Sequence, residues 1–359
     1  MEQTILTSRR KTELSIANVV FCLLVIFIHV SSEPVTSFAP HSIPYATVFI
    51  PWRLASFAVQ GFIFLSGLKF FLNMPEKFSY KHFYLKRFIT VVVPYIIFNA
   101  IYYLYFISIG YFPFVLGDLI KYIFNGTLVA PFYFIIVIVQ FYALAPLWIR
   151  LVKKVNAAAV LVFSAILTLF VLLYLSELIS LIFPNASGDY TTNLFASYLF
   201  YWLLGCYAGL NYEKFKSDVL KNRLLIIVVF CVATVADAVF SYISFSGLRS
   251  ISFLESLHYI FRISAVIFAY TAVLSACQLR GLKNKLIISV DKVSYYIFLV
   301  HCLLIFIING LMTRFGLNSI SLRYLIRIAI VYTLSVLISL GIRIVTQNTK
   351  QLFSRERKA

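Results

Sequence analysis

The chain has 359 residues, 62% of them hydrophobic and only 12% charged, with a net charge of +18. Soluble domains carry about 25% charged residues, so this composition excludes a soluble globular protein and points to an integral membrane one. The cations punctuate apolar runs instead of clustering on a polar domain, which excludes a nucleic-acid surface and is how membrane topology is written.

Ten apolar segments are separable, at roughly 14–32, 48–72, 88–109, 132–150, 156–176, 193–211, 224–244, 256–277, 286–309 and 324–346. Each is close to the length that crosses a bilayer as a helix. The expected fold is therefore an all-α, polytopic membrane protein with ten transmembrane helices and a single domain over 1–359. In the first segment, from Leu14 to Val30, only Ser15, Asn18 and His29 are polar. Arg9, Arg10 and Lys11 precede it, and Ser31-Ser32-Glu33-Pro34 follows without an A-x-A site, so it reads as an uncleaved span and not a signal peptide. With a cytoplasmic N-terminus, the inner segments hold 21 Lys/Arg against 4 in the outer loops. That asymmetry sets both termini in the cytoplasm.

Pro94 and Pro146 are expected to kink the third and fourth spans, because proline removes an N–H and clashes with the preceding turn. Gly205 and Gly209 form a GxxxG, read as close intramolecular packing and not as a dimer signal. The five cysteines (Cys22, Cys206, Cys231, Cys277 and Cys302) lie in apolar segments without local metal-ligand spacing, so no metal is expected from them. No Walker loop or GxGxxG turn is present, which leaves ATP-driven transport without support.

The chemistry must come from polar groups inside the spans, where each is costly and marks function by default. His29 lies roughly 22 Å along the first helix from Leu14. Glu33 follows four residues on, the same face if the helix continues. Arg53, Asp237, His258, Arg262 and His301 fall in the outer half on the same orientation, with Glu255, His258 and Arg262 on one stripe of the eighth span. Each has a plainer reading as well. Arg53 fits a side chain snorkelling to the interface, Glu255 and His258 fit interfacial groups, and Asp237 fits a counter-charge. A histidine near a carboxylate suits general-base activation of a hydroxyl, and arginines suit carboxylate, phosphate or an oxyanion. The set fits acyl transfer to an alcohol. Proton-coupled transport, export of a polysaccharide or lipid-linked glycan, and a structural partnership with a glycosyltransferase draw on the same residues. An exporter needs polar residues across both halves of the membrane, whereas here they crowd the outer half.

The motifs VIFIHVSSE ending the first span, AVQGFIFLSGLKFF (58–71), FYLKRFITVVVPYIIFN (83–99), PFYFIIVIVQFYALAPL (131–147), YWLLGCYAGLNYEKF (201–215) and SYYIFLVHCLL (294–304) resemble the acyltransferase-3 family of membrane O-acyltransferases. The order of these loose motifs along nearly the whole chain carries the resemblance. The spans resemble most the branch containing the membrane protein of the staphylococcal polysaccharide intercellular adhesin locus. Two positions depart from the family pattern. Asn18 stands eleven residues before His29, where Arg or Lys is common, and Thr90 replaces the second member of a basic pair. The resemblance implies a bacterial cytoplasmic-membrane enzyme that takes an acetyl or succinyl group from cytoplasmic acyl-CoA. The acceptor would be a hydroxyl of a surface polysaccharide or lipid-linked sugar, and a membrane glycosyltransferase would be a further partner. On that reading His29 is the general base and Glu33 its orienter. Arg53, Arg262 and His301 attend the acceptor or oxyanion, with His258 and Gln140 lining its site. Lys86 and Arg87, together with the Asn18 position, handle the donor.

Overall fold

The computed structural model describes residues 11–183, 191–280 and 285–356, and they are helical wherever they are regular, with no strand among them. Arg9, Arg10, Lys283, Arg357 and Lys358, cations counted in the topology reading, lie outside the described residues. In chain order the helices are α1 (Thr12–Val30), α2 (Ser32–Ser37), α3 (Ile43–Leu54), α4 (Ala58–Leu72), α5 (Tyr80–Arg87) and α6 (Val93–Ser108). Then come α7 (Leu116–Asn125), α8 (Tyr133–Ala143), α9 (Ala145–Lys154), α10 (Ala157–Ile182), α11 (Leu199–Leu210) and α12 (Tyr212–Lys221). The last four are α13 (Arg223–Phe245), α14 (Leu254–Arg280), α15 (Lys285–Arg314) and α16 (Ile320–Glu356).

Among the described residues, eight helices are long and apolar enough to cross a membrane. The pair Leu116–Asn125 and Ala130–Ala143, bent by 55°, makes nine if taken as one broken span. The difference from ten segments lies at 132–150 and 193–211. The first is divided at Leu144 between α8 and α9, and the second is a 3-10 turn, Phe195–Tyr198, leading into the twelve residues of α11. Proline explains where the breaks fall. Pro146 stands in the first turn of α9, and Pro94 stands in the first turn of α6, after a π-helical stretch Phe88–Val92. At Pro146 a missing N–H costs nothing in the first turn of a new helix, whereas Pro94 lies inside the continuous run Tyr80–Ser108, where the π-helical stretch before it replaces the regular ladder.

Contacts divide the chain into two compact units. Unit one comprises Met1–Ala58, Ala238–Ser250 and Ala272–Ala359. In it α15 packs against both α1 and α16. Phe21, Val25, Ile26, Val293, Ile297, Leu299 and Val331 form its buried core. Lipid tails are as apolar as these side chains, so packing and interhelical hydrogen bonds must hold the helices together. Both are present. Tyr332 donates to the Leu23 carbonyl at 2.8 Å, Trp52 Nε1 to the Ile28 carbonyl at 3.1 Å, and Ser31 and Tyr324 share a 2.9 Å bond.

Unit two comprises Val59–Asp237 and Ile251–Thr271. Its tightest contact is the one the GxxxG was read to make. A Cβ on Gly205 or Gly209 would strike the backbone of Phe64 or Leu68 in α4, and one on Gly67 would strike the Trp202 carbonyl in α11. The two backbones lie in direct contact, which only glycine permits. Around this seam Trp202 stacks on Phe141 at 4.6 Å and fills the core with Phe70 and Tyr142. Conversely, Val162, Phe163 and Ile166 of α10 and Leu225, Val232 and Val235 of α13 are exposed. Apolar faces of this extent suit lipid and not water.

Candidate active site

In unit one the polar groups gather where α1 ends. α1 ends at Val30 and the chain passes through Ser31 into α2, a junction at which the Val30 carbonyl takes a partner from another helix. α16 supplies it. Arg327, 1% exposed, donates through Nη1 to the Val30 carbonyl at 2.8 Å and through Nε to Asn309 Oδ1 at 3.0 Å. Its other Nη reaches the Glu33 carboxylate, whose second oxygen accepts from Arg323 Nε at 2.9 Å. A buried guanidinium is tolerable only when paired and hydrogen-bonded, and this one is both. Glu33, on α2, is thereby tied to two arginines of α16. The sequence reading overlooked Arg327, although it sits inside the apolar segment 324–346, a signal that could have found it.

His29, in the last turn of α1, is half-buried and lies against His301 of α15, with ring centroids 5.2 Å apart. His301 is fully buried, and its Nδ1 lies 3.2 Å from the Ile297 carbonyl one turn back. That carbonyl can only accept, so Nδ1 carries the ring proton and Nε2 presents a lone pair. Cys302 Sγ lies 3.3 Å from that Nε2. Arg53 stays in this unit too, where its Nε donates to Ser241 Oγ at 3.1 Å and its guanidinium lies 5.3 Å from the Phe245 ring centre. Asn18 sits lower on α1. Its amide donates to Asp291 Oδ1 and to Ser294 Oγ, both at 2.8 Å, while Ser15 donates to Asp291 Oδ2 at 2.7 Å. Asp291 went unnoticed in the sequence because it stands near a helix end, where a carboxylate needs no explanation.

Unit two holds the other named residues. His258 Nδ1 lies 2.9 Å from both oxygens of Asp237, and neither side chain is exposed. Arg262 Nη1 donates to Glu255 Oε1 at 3.1 Å, so the predicted stripe on α14 is real but divides between two partners. The buried Tyr201 hydroxyl and Arg262 Nε have no hydrogen-bond partner. Gln140 donates to the Asn193 carbonyl at 2.8 Å and accepts from Phe195 N–H at 2.9 Å, which clamps the chain before α11. Lys86 is exposed at the end of α5. Arg87 lies over the Tyr142 ring, 4.5 Å from its centre, beside a cavity of about 240 Å³ that Tyr84, Phe88 and Val91 also line.

Chemically, unit one offers an accessible imidazole with a second imidazole, a thiol and a guanidinium network near it. Unit two offers a sealed imidazole–carboxylate pair. A family model described as an acyltransferase domain matches residues 13–344, through both units. Neither the comparison with curated proteins nor that with solved structures gives a match. Eight membrane-length helices and a match over nearly the whole length leave one conclusion: the chain belongs to the acyltransferase-3 family.

Proposed function

We propose that the chain is a membrane O-acyltransferase of the bacterial cytoplasmic membrane. It moves an acetyl or succinyl group from cytoplasmic acyl-CoA to a hydroxyl of a surface polysaccharide or lipid-linked glycan. The observation that carries this reading is the partly exposed His29 in the last turn of α1, against His301 and one residue before the Val30 carbonyl that Arg327 holds. In the proposed step, His29 takes the proton of the acceptor hydroxyl as the oxygen attacks the thioester carbonyl. The carbon–sulfur bond breaks, and the CoA thiolate leaves with a proton returned by the imidazolium. The products are an ester and free CoA. Arginine donors suit the tetrahedral oxyanion, a role for Arg53 of the same unit. In unit two, Gln140 and His258 have their polar atoms engaged by Asn193, Phe195 and Asp237, so we assign them to holding that unit's own fold.

The topology belongs to the same proposal: ten spans, both termini in the cytoplasm, Lys86 and Arg87 on the donor side and His29 near the outer face. Its support is the 21-to-4 cation asymmetry. Single cysteines at Ser42 and Ser319 in a cysteine-free background should react with an impermeant thiol reagent outside intact cells, and those at Ser79 and Ser217 should not. For the activity, surface glycan from cells with and without the chain should differ by an acyl mass on sugar hydroxyls. Purified protein should release CoA from acetyl- or succinyl-CoA only when acceptor is present. Glycan exported normally but never acylated would transfer the reading to an exporter, and unaltered glycan to an inactive partner of a glycosyltransferase.

A further inference from the structure

One neighbour of the two imidazoles in unit one has no part in acyl transfer. The donor atoms of His29, His301 and Cys302 all lie within 4.8 Å of one another, though His29 is far in sequence from the other two. Tetrahedral zinc needs its nitrogen and sulfur ligands about 3.6 Å apart, and two nitrogens about 3.4 Å apart, given bonds near 2.0–2.1 and 2.3 Å. Cys302 Sγ and His301 Nε2, at 3.3 Å, already have that spacing. His301 is prepared further, because the bond from Nδ1 to the Ile297 carbonyl fixes the ring and aims the Nε2 lone pair at the thiol. A carbonyl holding the far nitrogen in this way is what metal-ligating histidines have. His29 must move by roughly 1 Å to close the set, and it is the partly exposed member.

We propose that His29, His301 and Cys302 form a three-ligand site for a soft divalent metal ion of the zinc type, and that metal bound there withdraws His29 from base chemistry. The first half stands on the geometry alone, and the second rests on the acyl-transfer reading. Thiolate and imidazole donors select zinc-like ions over magnesium or calcium. On binding, the Cys302 S–H bond breaks and a metal–sulfur bond forms, the two imidazoles donate their lone pairs, and the proton leaves to water past His29. With three protein ligands the fourth position stays open to water. A metal on the His29 lone pair leaves that nitrogen unable to accept the hydroxyl proton.

The test uses purified, metal-stripped full-length protein in which Cys22, Cys206, Cys231 and Cys277 are replaced by Ala. Titration with Co²⁺ should give a near-ultraviolet thiolate-to-cobalt band that saturates at one equivalent and is displaced by Zn²⁺. The added substitutions Cys302→Ser and His301→Ala should each abolish it. Zn²⁺ should lower wild-type transfer at least tenfold, reversibly with a chelator, and the ratio of transfer with and without Zn²⁺ should return to one in Cys302→Ser. No band, or a band that survives Cys302→Ser, overturns the site. Equal inhibition of wild type and Cys302→Ser overturns the regulatory half. Should the cysteine-poor protein fail to fold, metal protection of Cys302 from alkylation in the wild type, read by mass spectrometry, decides the site, and an unprotected Cys302 overturns it. A metal-free wild type without transfer refutes the acyl-transfer reading, and the cobalt spectrum still decides the metal site.

Discussion

The molecule contains two buried histidine arrangements with opposite character. In unit two, His258 is sealed, and a carboxylate binds its Nδ1 through both oxygens. In unit one, His29 is partly exposed and stands against another imidazole. Read as a motif, the histidine–carboxylate pair is the one that looks like an oriented base. Read as an environment, it is the one a substrate hydroxyl cannot reach without displacing protein. A buried ionisable pair completed by protein atoms is a structural element; an imidazole with an open approach can exchange a proton with a ligand. Access separates the two roles, and sequence spacing does not record access.

The largest effect should come from His29. His29→Ala should lower transfer by about 10²–10⁴-fold while the folded fraction, read by thermal unfolding in detergent, changes little. Near-normal transfer by a folded His29→Ala protein would break the comparison outright. The reciprocal variant should fail in the other assay. His258→Ala removes the partner of a fully buried carboxylate and should destabilise the protein by about 3–5 kcal/mol. The remaining folded protein should keep transfer within about tenfold, below the range for loss of a general base. If His258→Ala instead stays stable and loses transfer, the sealed pair is the chemical one and the roles must be exchanged.

Glu33 sharpens the same contrast. As an orienter of His29 it would be needed for rate, whereas its bonds to Arg323 and Arg327 make it a clamp on the end of α1. Glu33→Gln keeps a hydrogen-bond acceptor and removes the charge, and hydrogen bonds to charged groups contribute about 1.5–3 kcal/mol. Stability should fall by about that amount, with transfer per folded molecule reduced less than tenfold. A loss of rate as large as that of His29→Ala, at unchanged stability, would restore the orienting role.

Much of this was legible in the sequence. Apolar run lengths located the long helices, and the glycine pair 205/209 signalled the α4–α11 seam because only a small residue admits a backbone there. The first span stood out in the sequence as the candidate for chemistry, since a histidine in an apolar run needs a reason. What the sequence withheld was three-dimensional. Glu33 is engaged by Arg323 and Arg327 of α16, a pairing that spacing along the first span does not announce. Cys302 reads as a small hydrophobe until α15 packs against α1 and brings His29 to the sulfur and its neighbour His301. Asn18 looks like a degraded basic position, yet its amide ties α1 to Asp291 and Ser294. A neutral donor there satisfies the carboxylate without adding a charge. Local periodicity carries helices; partner choice depends on pairs of helices meeting.

The smallest expected effect is at Lys86 and Arg87, where the two residues themselves differ. Lys86 is exposed, and positive-inside bias alone explains a cation at that place. Arg87 lies over the Tyr142 ring, 4.5 Å from its centre, at the rim of the cavity it shares with Tyr84. Such a contact contributes about 0.5–1 kcal/mol at an exposed site and leaves the guanidinium edge free to meet an anion. A side chain already fixed loses less entropy on binding than a free lysine does. Arg87→Gln should therefore weaken acyl-CoA binding more than Lys86→Gln, by about threefold to tenfold, an effect on the scale of one charge-assisted hydrogen bond. Both effects should shrink as salt is raised, because the phosphate charges of CoA are then screened. Isothermal titration of purified wild type and both variants across a salt series reads this directly. Equal weakening by the two substitutions would remove the special place of Arg87 and leave a diffuse cationic surface. Unaltered binding in both would return the pair to topology alone.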